Sequence, residues 1–413
     1  MNTRTHASFR STVVLTSIVS ASALIATGVI ASNLPPDKQS PSALTVSSED
    51  GQRFFKLGGI IRLNDRYERW DSSPNHSRRL LFDTFRVKAQ GRWDNFNLNA
   101  TYIFQDRNRR SVEQAYIGYR FSDDSELQVG APYKPFGLYP YNSFGWSFQI
   151  QNYMGFTDSA GLGFKYVAKK GPWDIQLAFF PEMLPAELRF TPEAGTYSDF
   201  KRNVFASNSQ QANRKKNQVN FRLAHDLDWG PGKNEVGFSL AASQLENTIT
   251  HNDGNYWAAG LHAELNQGPW QLQAQSLKYA YKPKNPLGVS NDSILMGSNG
   301  LGPAYLVAAK GIIHSLNIGY GIPTPNLGAL KKVTLYNDLS LLDKDKSGWH
   351  DSKMNTLGVK LDASPFVAWV DLTWAKNANI FDAENNSTGW TSTSSPGSDR
   401  WNFRTNINIG YSF

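Results

Sequence analysis

From Phe54 to the C-terminus the sequence alternates apolar and polar residues with a period of two, and after Ile30 no stretch approaches the roughly 20 apolar residues that a membrane helix needs. The end of the chain shows it most cleanly. Trp401, Phe403, Thr405, Ile407, Ile409, Tyr411 and Phe413 form one row, and Asn402, Arg404, Asn406, Asn408, Gly410 and Ser412 the other. Successive side chains of a strand point to opposite faces, so each such segment carries one greasy and one wet face. That pattern suits a soluble sandwich as well as a membrane barrel. Segment number and loop length decide between them.

Sixteen segments follow the pattern, near 54–70, 78–93, 96–105, 112–121, 125–132, 160–170, 172–182, 217–229, 234–246, 255–266, 269–281, 304–321, 329–342, 351–363, 365–376 and 400–413. Short turns alternate with longer loops along the whole series. The short ones are Asp94-Asn95, 122–124, Gly171, 230–233, Gln267-Gly268, a link over 322–328, and Ser364. Short turns at one end and long loops at the other are the rule for outer-membrane barrels, with the short turns facing the periplasm. The expected fold is all-β: a transmembrane antiparallel β-barrel of about 16 strands with long extracellular loops and short periplasmic turns. The even count places both termini on the periplasmic side. Tryptophans sort accordingly: Trp93, Trp173, Trp229 and Trp270 flank the short turns, and Trp70, Trp257, Trp374 and Trp401 fall near the opposite ends. Two such groups are what aromatic girdles at the two interfaces require.

Composition agrees. Mean hydropathy is negative, yet aromatics reach 13% of the chain, as expected of a barrel that is apolar outside and wet inside. The absence of cysteine excludes disulfide scaffolds, thiolate metal sites and cysteine nucleophiles. Residues 1–31 read as a signal peptide for an envelope protein: Arg4 and Arg10 precede a small, apolar run that closes at Val29-Ile30-Ala31. Residues 32–52, with Pro35, Pro36 and Pro41, read as a flexible periplasmic leader, and 53–413 as the barrel.

The net charge of +7 is concentrated before residue 217. Nucleic acid is not the expected partner, because the basic residues lie on strand rows and no nucleic-acid module is visible. Alternation places Arg62 and Arg66 on the inner row of the first strand, Arg86, Lys88 and Arg92 on the second, Arg120 on the fourth, and Lys165 and Lys169 on the sixth. Together with Lys134 in the next loop these are the candidate pore-lining, anion-binding residues. A wall of Arg and Lys favours anions in a water-filled channel with low-dielectric walls. The alternative is that these cations pair with lumen acids such as Asp65, Glu68, Asp83, Asp106 and Glu113 and only hold the barrel open. The loop at 133–159 is the candidate constriction. It is rich in aromatics, which read more simply as the packing of a compact loop than as a track for sugars or aromatic solutes. Arg214-Lys215-Lys216, read as part of the fourth long loop, would gather anions at the pore mouth or bind lipopolysaccharide phosphates.

Two local patterns carry a family resemblance. Gly410-Tyr411-Ser412-Phe413 resembles the C-terminal assembly signal read by the barrel assembly machinery. Phe85-Arg86-Val87-Lys88-Ala89, Gln114 to Tyr119 and Leu127 to Gly137 resemble the phosphate-selective porin O/P family over roughly residues 54–170. That family's arginine pair corresponds here to Leu81-Phe82, with Arg78-Arg79 a few residues earlier. The resemblance implies a sixteen-stranded barrel, usually a homotrimer, with the third loop folded into the pore.

The expected function is passive diffusion of small hydrophilic solutes across the outer membrane of a Gram-negative-type cell, with a preference for anions and phosphate as one candidate. A sugar or other small-solute channel without anion preference, and a structural or adhesive barrel without an open pore, stand as alternatives. Catalysis, cofactors and bound metal are not expected. The histidines lack ligand spacing, and no serine partner is evident for His225 or His314.

Overall fold

The computed structural model describes residues 44–49, 53–70, 78–106, 109–195, 210–230, 232–300, 302–378, 394–397 and 399–413. The expected signal peptide and most of the expected leader lie outside these residues. Within the leader, β1 (Leu44–Ser47) pairs with the start of the first barrel strand, Leu44 opposite Leu57 and Ser47 opposite Phe54.

The barrel strands are β2 (Phe54–Glu68), β3 (Arg78–Trp93), β4 (Phe96–Phe104), β5 (Arg110–Ser122), β6 (Ser125–Ala131), β7 (Leu162–Lys170), β8 (Trp173–Glu182), β10 (Asn213–Asp226), β11 (Glu235–Asn247), β12 (Asn252–Gln267), β13 (Trp270–Lys282), β16 (Lys310–Leu327), β17 (Leu330–Lys344), β18 (Ser352–Ala363), β19 (Phe366–Lys376) and β20 (Trp401–Ser412). Each pairs antiparallel with its neighbours, and β20 returns to β2 from Ile60↔Ser412 to Glu68↔Arg404, closing a sixteen-stranded barrel. At the seam the Phe413 backbone exchanges hydrogen bonds with Gly59, at 2.8 and 3.0 Å. Gly59 is required there, because a Cβ would collide with the Arg86 carbonyl and the Phe413 ring.

Tight turns form where a residue can take a left-handed conformation or where proline stops the strand. Gly171, Gly268 and Gly328 have φ near +60° in hairpins that leave two residues between the last paired positions, and Asp94 takes φ +52° in another. The turn between β16 and β17 therefore lies at Gly328-Ala329. The link expected over 322–328 is instead a continuation of β16, with an irregular register between Pro323 and Leu327.

Closure puts one row of every strand outside. Leu57, Ile61, Leu63, Ile117, Leu177, Leu261 and Ile409 stand exposed there as an apolar band. Trp93, Trp173, Trp229 and Trp270 ring the short-turn end, and Trp374 and Trp401 the opposite end. Trp70 departs from the expected girdle and packs on the interior cluster.

Three further strands lie outside the barrel sheet: β9 (Glu193–Ala194), β14 (Ser293–Ser298) and β15 (Gly302–Ala308). The segment expected as one strand over 304–321 is thus two elements. Its first part pairs with β14 inside the sixth long loop, and the barrel strand begins at Lys310. All six residues of β14 are buried, so the alternation that marks a lipid-facing strand is absent from it. Ile294, Met296, Tyr305 and Val307 join Phe136, Ile150, Met154 and Phe156 of the third loop and the inner faces of Leu277, Tyr279 and Tyr281 in one apolar cluster. That cluster packs the third and sixth loops against the inner face of β13.

Candidate functional site

The third loop, 132–161, folds inward and is stitched to the far wall by polar side chains of the inner rows. Gly137 N–H donates to Ser239 Oγ at 2.9 Å, Leu138 N–H to Gln275 Oε1 at 2.8 Å, and Ile150 N–H to Ser340 Oγ at 3.3 Å. At the loop tip the Asp338 carboxylate accepts from the N–H groups of Phe144 and Gly145, at 3.0 and 2.8 Å. Asp371 accepts from Ser147 N–H at 2.6 Å. A loop crossing a lumen must satisfy its backbone donors, and these serines, glutamines and aspartates supply the acceptors. A single helical turn, α1 (Ile150–Tyr153), ends the crossing.

The gap left between this loop and the wall formed by β2, β3 and β20 is a cavity of about 1030 Å³. Its lining runs from Gln105, Asp106 and Arg109 in the second loop, past Arg66, Arg404, Arg62 and Arg86, to Lys331, Lys332, Lys360 and Asp362 near the short turns. Among the described residues eight Arg and Lys side chains line it, against three lining carboxylates: Asp83, Asp106 and Asp362. The cations are held in place by neighbours. Arg86 lies 3.0 Å from Glu113, Arg66 3.3 Å from Glu68, Arg62 3.7 Å from Asp83, and Lys360 2.8 Å from Asp362. The opposite side carries rings: Tyr141, Phe144, Trp146, Phe148 and Tyr153 of the third loop, with Phe190 of the fourth, while Trp369 stands on β19 beside β20. Two loop side chains reach across. Tyr141 O–H donates to Glu113 at 3.0 Å, and Trp146 Nε1–H to Asp83 at 3.3 Å.

Of the candidate anion-binding residues, the structure brings Arg62, Arg66 and Arg86 together on the cavity wall. Lys88 and Arg92 continue the Arg86 row toward the short-turn end but are not in the lining. Arg92 sits over the Phe54 ring and bonds Asn97. Arg120 donates to the Asp94 carbonyl and pairs with Asp123 at the short-turn end. Lys169 is exposed there, 3.5 Å from Asp226. Lys165 is buried beneath the third loop, its ammonium 3.2 Å from the Tyr133 carbonyl.

Lys134 is buried too and bridges to Glu193 of β9, a carboxylate shared with Lys215 at 3.2 Å. Burial by itself would raise the Glu193 carboxyl, but Lys134, Lys215 and Arg189 outweigh it and hold it at about 2. Lys134 therefore fastens the third loop to the fourth. Arg214-Lys215-Lys216 lies on β10 and not in a loop, with Arg214 and Lys216 paired to Glu246 at 2.8 and 2.9 Å. His262 meets Arg222, at 3.0 Å, and Glu235. Among the described residues no cluster of three or more His, Cys, Asp or Glu side chains could hold a metal.

Sequence reasoning missed Arg404, Arg109, Lys331, Lys332 and Lys360. Arg404 is on the polar row of the last strand, so the alternation alone marked it as lumenal. Its place beside Glu68 follows only once β20 closes on β2. The expectation that the loop aromatics serve packing holds for Phe136 and Phe156, which are buried in the cluster, while five others line the cavity.

No protein-family model matches the chain, and no curated protein matches it. Solved structures do. The outer membrane channel DcaP of Acinetobacter baumannii aligns with a TM-score of 0.58 at 12% identity, over 89% of this chain and 99% of that one. The fold is that of an outer-membrane porin. OmpT, an outer membrane protein of Vibrio cholerae in its trimer form, aligns at 0.54 and 11% identity, covering 87% and 99%. An anion-selective porin from Comamonas acidovorans aligns at 0.52 and 12%, covering 90% and 100%. These likenesses carry the porin architecture to this chain.

Proposed function

We propose that this porin-fold chain is an anion-preferring channel for passive diffusion of small hydrophilic solutes through the outer membrane, working as a homotrimer. The observation that carries the reading is the lining of the cavity, with eight cationic side chains against three carboxylates along its length. In a narrow aqueous path through a low-dielectric wall, that excess raises the local concentration of anions and repels cations. The salt bridges on the wall fix the arginines without cancelling them: with Glu68 and Glu113, which pair with Arg66 and Arg86, the described carboxylates number five against eight cations. The anion-selective porin from Comamonas acidovorans supports the same direction, and the trimeric Vibrio protein supports the assembly. Phosphate stays one candidate among the anions.

Reconstitution into planar bilayers tests the reading. Discrete conductance steps closing in threes, with a reversal potential in a KCl gradient that favours chloride, are expected. A silent bilayer would leave a structural or adhesive barrel. A cation-selective potential would refute the role assigned to the arginines.

A further inference from the structure

The cavity has two unlike walls. Arg62, Arg86 and Arg404 stand on the barrel side, and Trp146, Phe148 and Tyr153 on the loop side. We propose that its preferred solutes are aromatic carboxylates, planar organic anions that use both walls at once. This inference rests on the anion-preferring reading above.

The barrel wall offers a fork. Arg62 lines the cavity, and its nearest carboxylate, Asp83, is 3.7 Å away, beyond hydrogen-bond reach, so no described carboxylate occupies its guanidinium. Arg86 lines it too and adds its charge to the same wall, its terminal nitrogens engaged by Glu113 at 3.0 Å and Tyr141 at 3.4 Å. Planar guanidinium donors match the two oxygens of a carboxylate.

The loop wall offers ring faces in fixed positions. Phe148 packs edge-on against both Tyr153 and Phe190, with centroids 6.5 and 6.1 Å apart. Trp146 is anchored through its indole N–H to Asp83. An aromatic ring entering between such faces gains stacking beyond simple burial, and arginine adds its own affinity for ring faces.

The same asymmetry disfavours the other candidates. Inorganic phosphate, on losing its hydration, needs donors on every side, and the Tyr141 O–H and Trp146 N–H of the loop wall are already given to Glu113 and Asp83. A neutral sugar gains nothing from the excess of unneutralised cations.

Chloride conductance of the reconstituted full-length protein, titrated at one pH with benzoate, acetate and inorganic phosphate, reads the preference. Benzoate should block at concentrations about threefold to tenfold lower than acetate, the range expected for one aromatic contact. Trp146→Leu combined with Phe148→Leu should bring benzoate and acetate together. Arg62→Gln combined with Arg86→Gln should weaken both acids. If the leucine variant does not fold, cyclohexanecarboxylate serves in its place on the native channel, and it should block less well than benzoate. Equal block by benzoate and acetate in a channel that stays anion-selective would overturn the inference alone, as would phosphate blocking best or cyclohexanecarboxylate matching benzoate. Cation selectivity would instead remove the reading beneath it.

Discussion

Glu193 shows how one carboxylate can position a whole loop. It lies in the fourth loop, is almost fully buried, and receives Lys134 from the third loop and Lys215 from β10. Replacing Glu193 by Gln leaves two ammonium groups buried without a counter-charge. Breaking a buried pair in this way costs roughly 3–5 kcal/mol, so the Glu193→Gln barrel should melt at lower temperature in detergent, and the third loop should exchange amide hydrogens faster. The pH dependence has a definite sign. The carboxyl sits at about 2, below its ordinary 4.5, so its stabilisation is complete above about 4.5 and is lost as pH falls through 2. Melting curves should show the native protein losing more stability than Glu193→Gln across that interval, and parallel curves would contradict the assignment. None of this was legible in the sequence. Lys134 reads there as the loop's single basic residue and hence as a pore cation. Its partner lies 59 positions away in a loop without periodicity.

At the scale of elements, sixteen strands could be read from the sequence because a wall between lipid and water forces alternation on every one of them. What folds into the lumen escapes that constraint. The two faces of β14 are both buried, so its sequence carries no period, and the third loop takes its shape from acceptors up to 224 positions away. Asp338 and Asp371 are the clearest of these, holding the N–H groups of Phe144, Gly145 and Ser147. Hydrogen bonds to charged groups contribute about 1.5–3 kcal/mol each. Asp338→Ala combined with Asp371→Ala should therefore free the tip without unfolding the barrel. Faster amide exchange over 141–148 and greater open-channel current noise are the expected readouts. A quiet channel with unchanged exchange would show that the apolar cluster alone fixes the loop.

For the molecule as a whole, the lining cations act through a field more than through one bound ion, and a field is screened by salt. The Debye length shrinks from about 10 Å at 0.1 M to about 3 Å at 1 M. The chloride-to-potassium permeability ratio should accordingly fall severalfold between these concentrations. A ratio that does not move would point to a single tight anion site.

The seam carries a consequence of another kind. Asn64 and Asn406 are hydrogen-bonded across it although 342 positions separate them, and Phe413 completes the join at Gly59. The second edge of the first barrel strand is covered by β1 over Phe54 to Leu57 and by β20 from Ile60 to Glu68. A copy cut short anywhere keeps an open row of backbone donors and acceptors that lipid cannot satisfy. Closure thus makes the backbone satisfaction of the first barrel strand depend on a strand whose paired asparagine lies 342 positions further along.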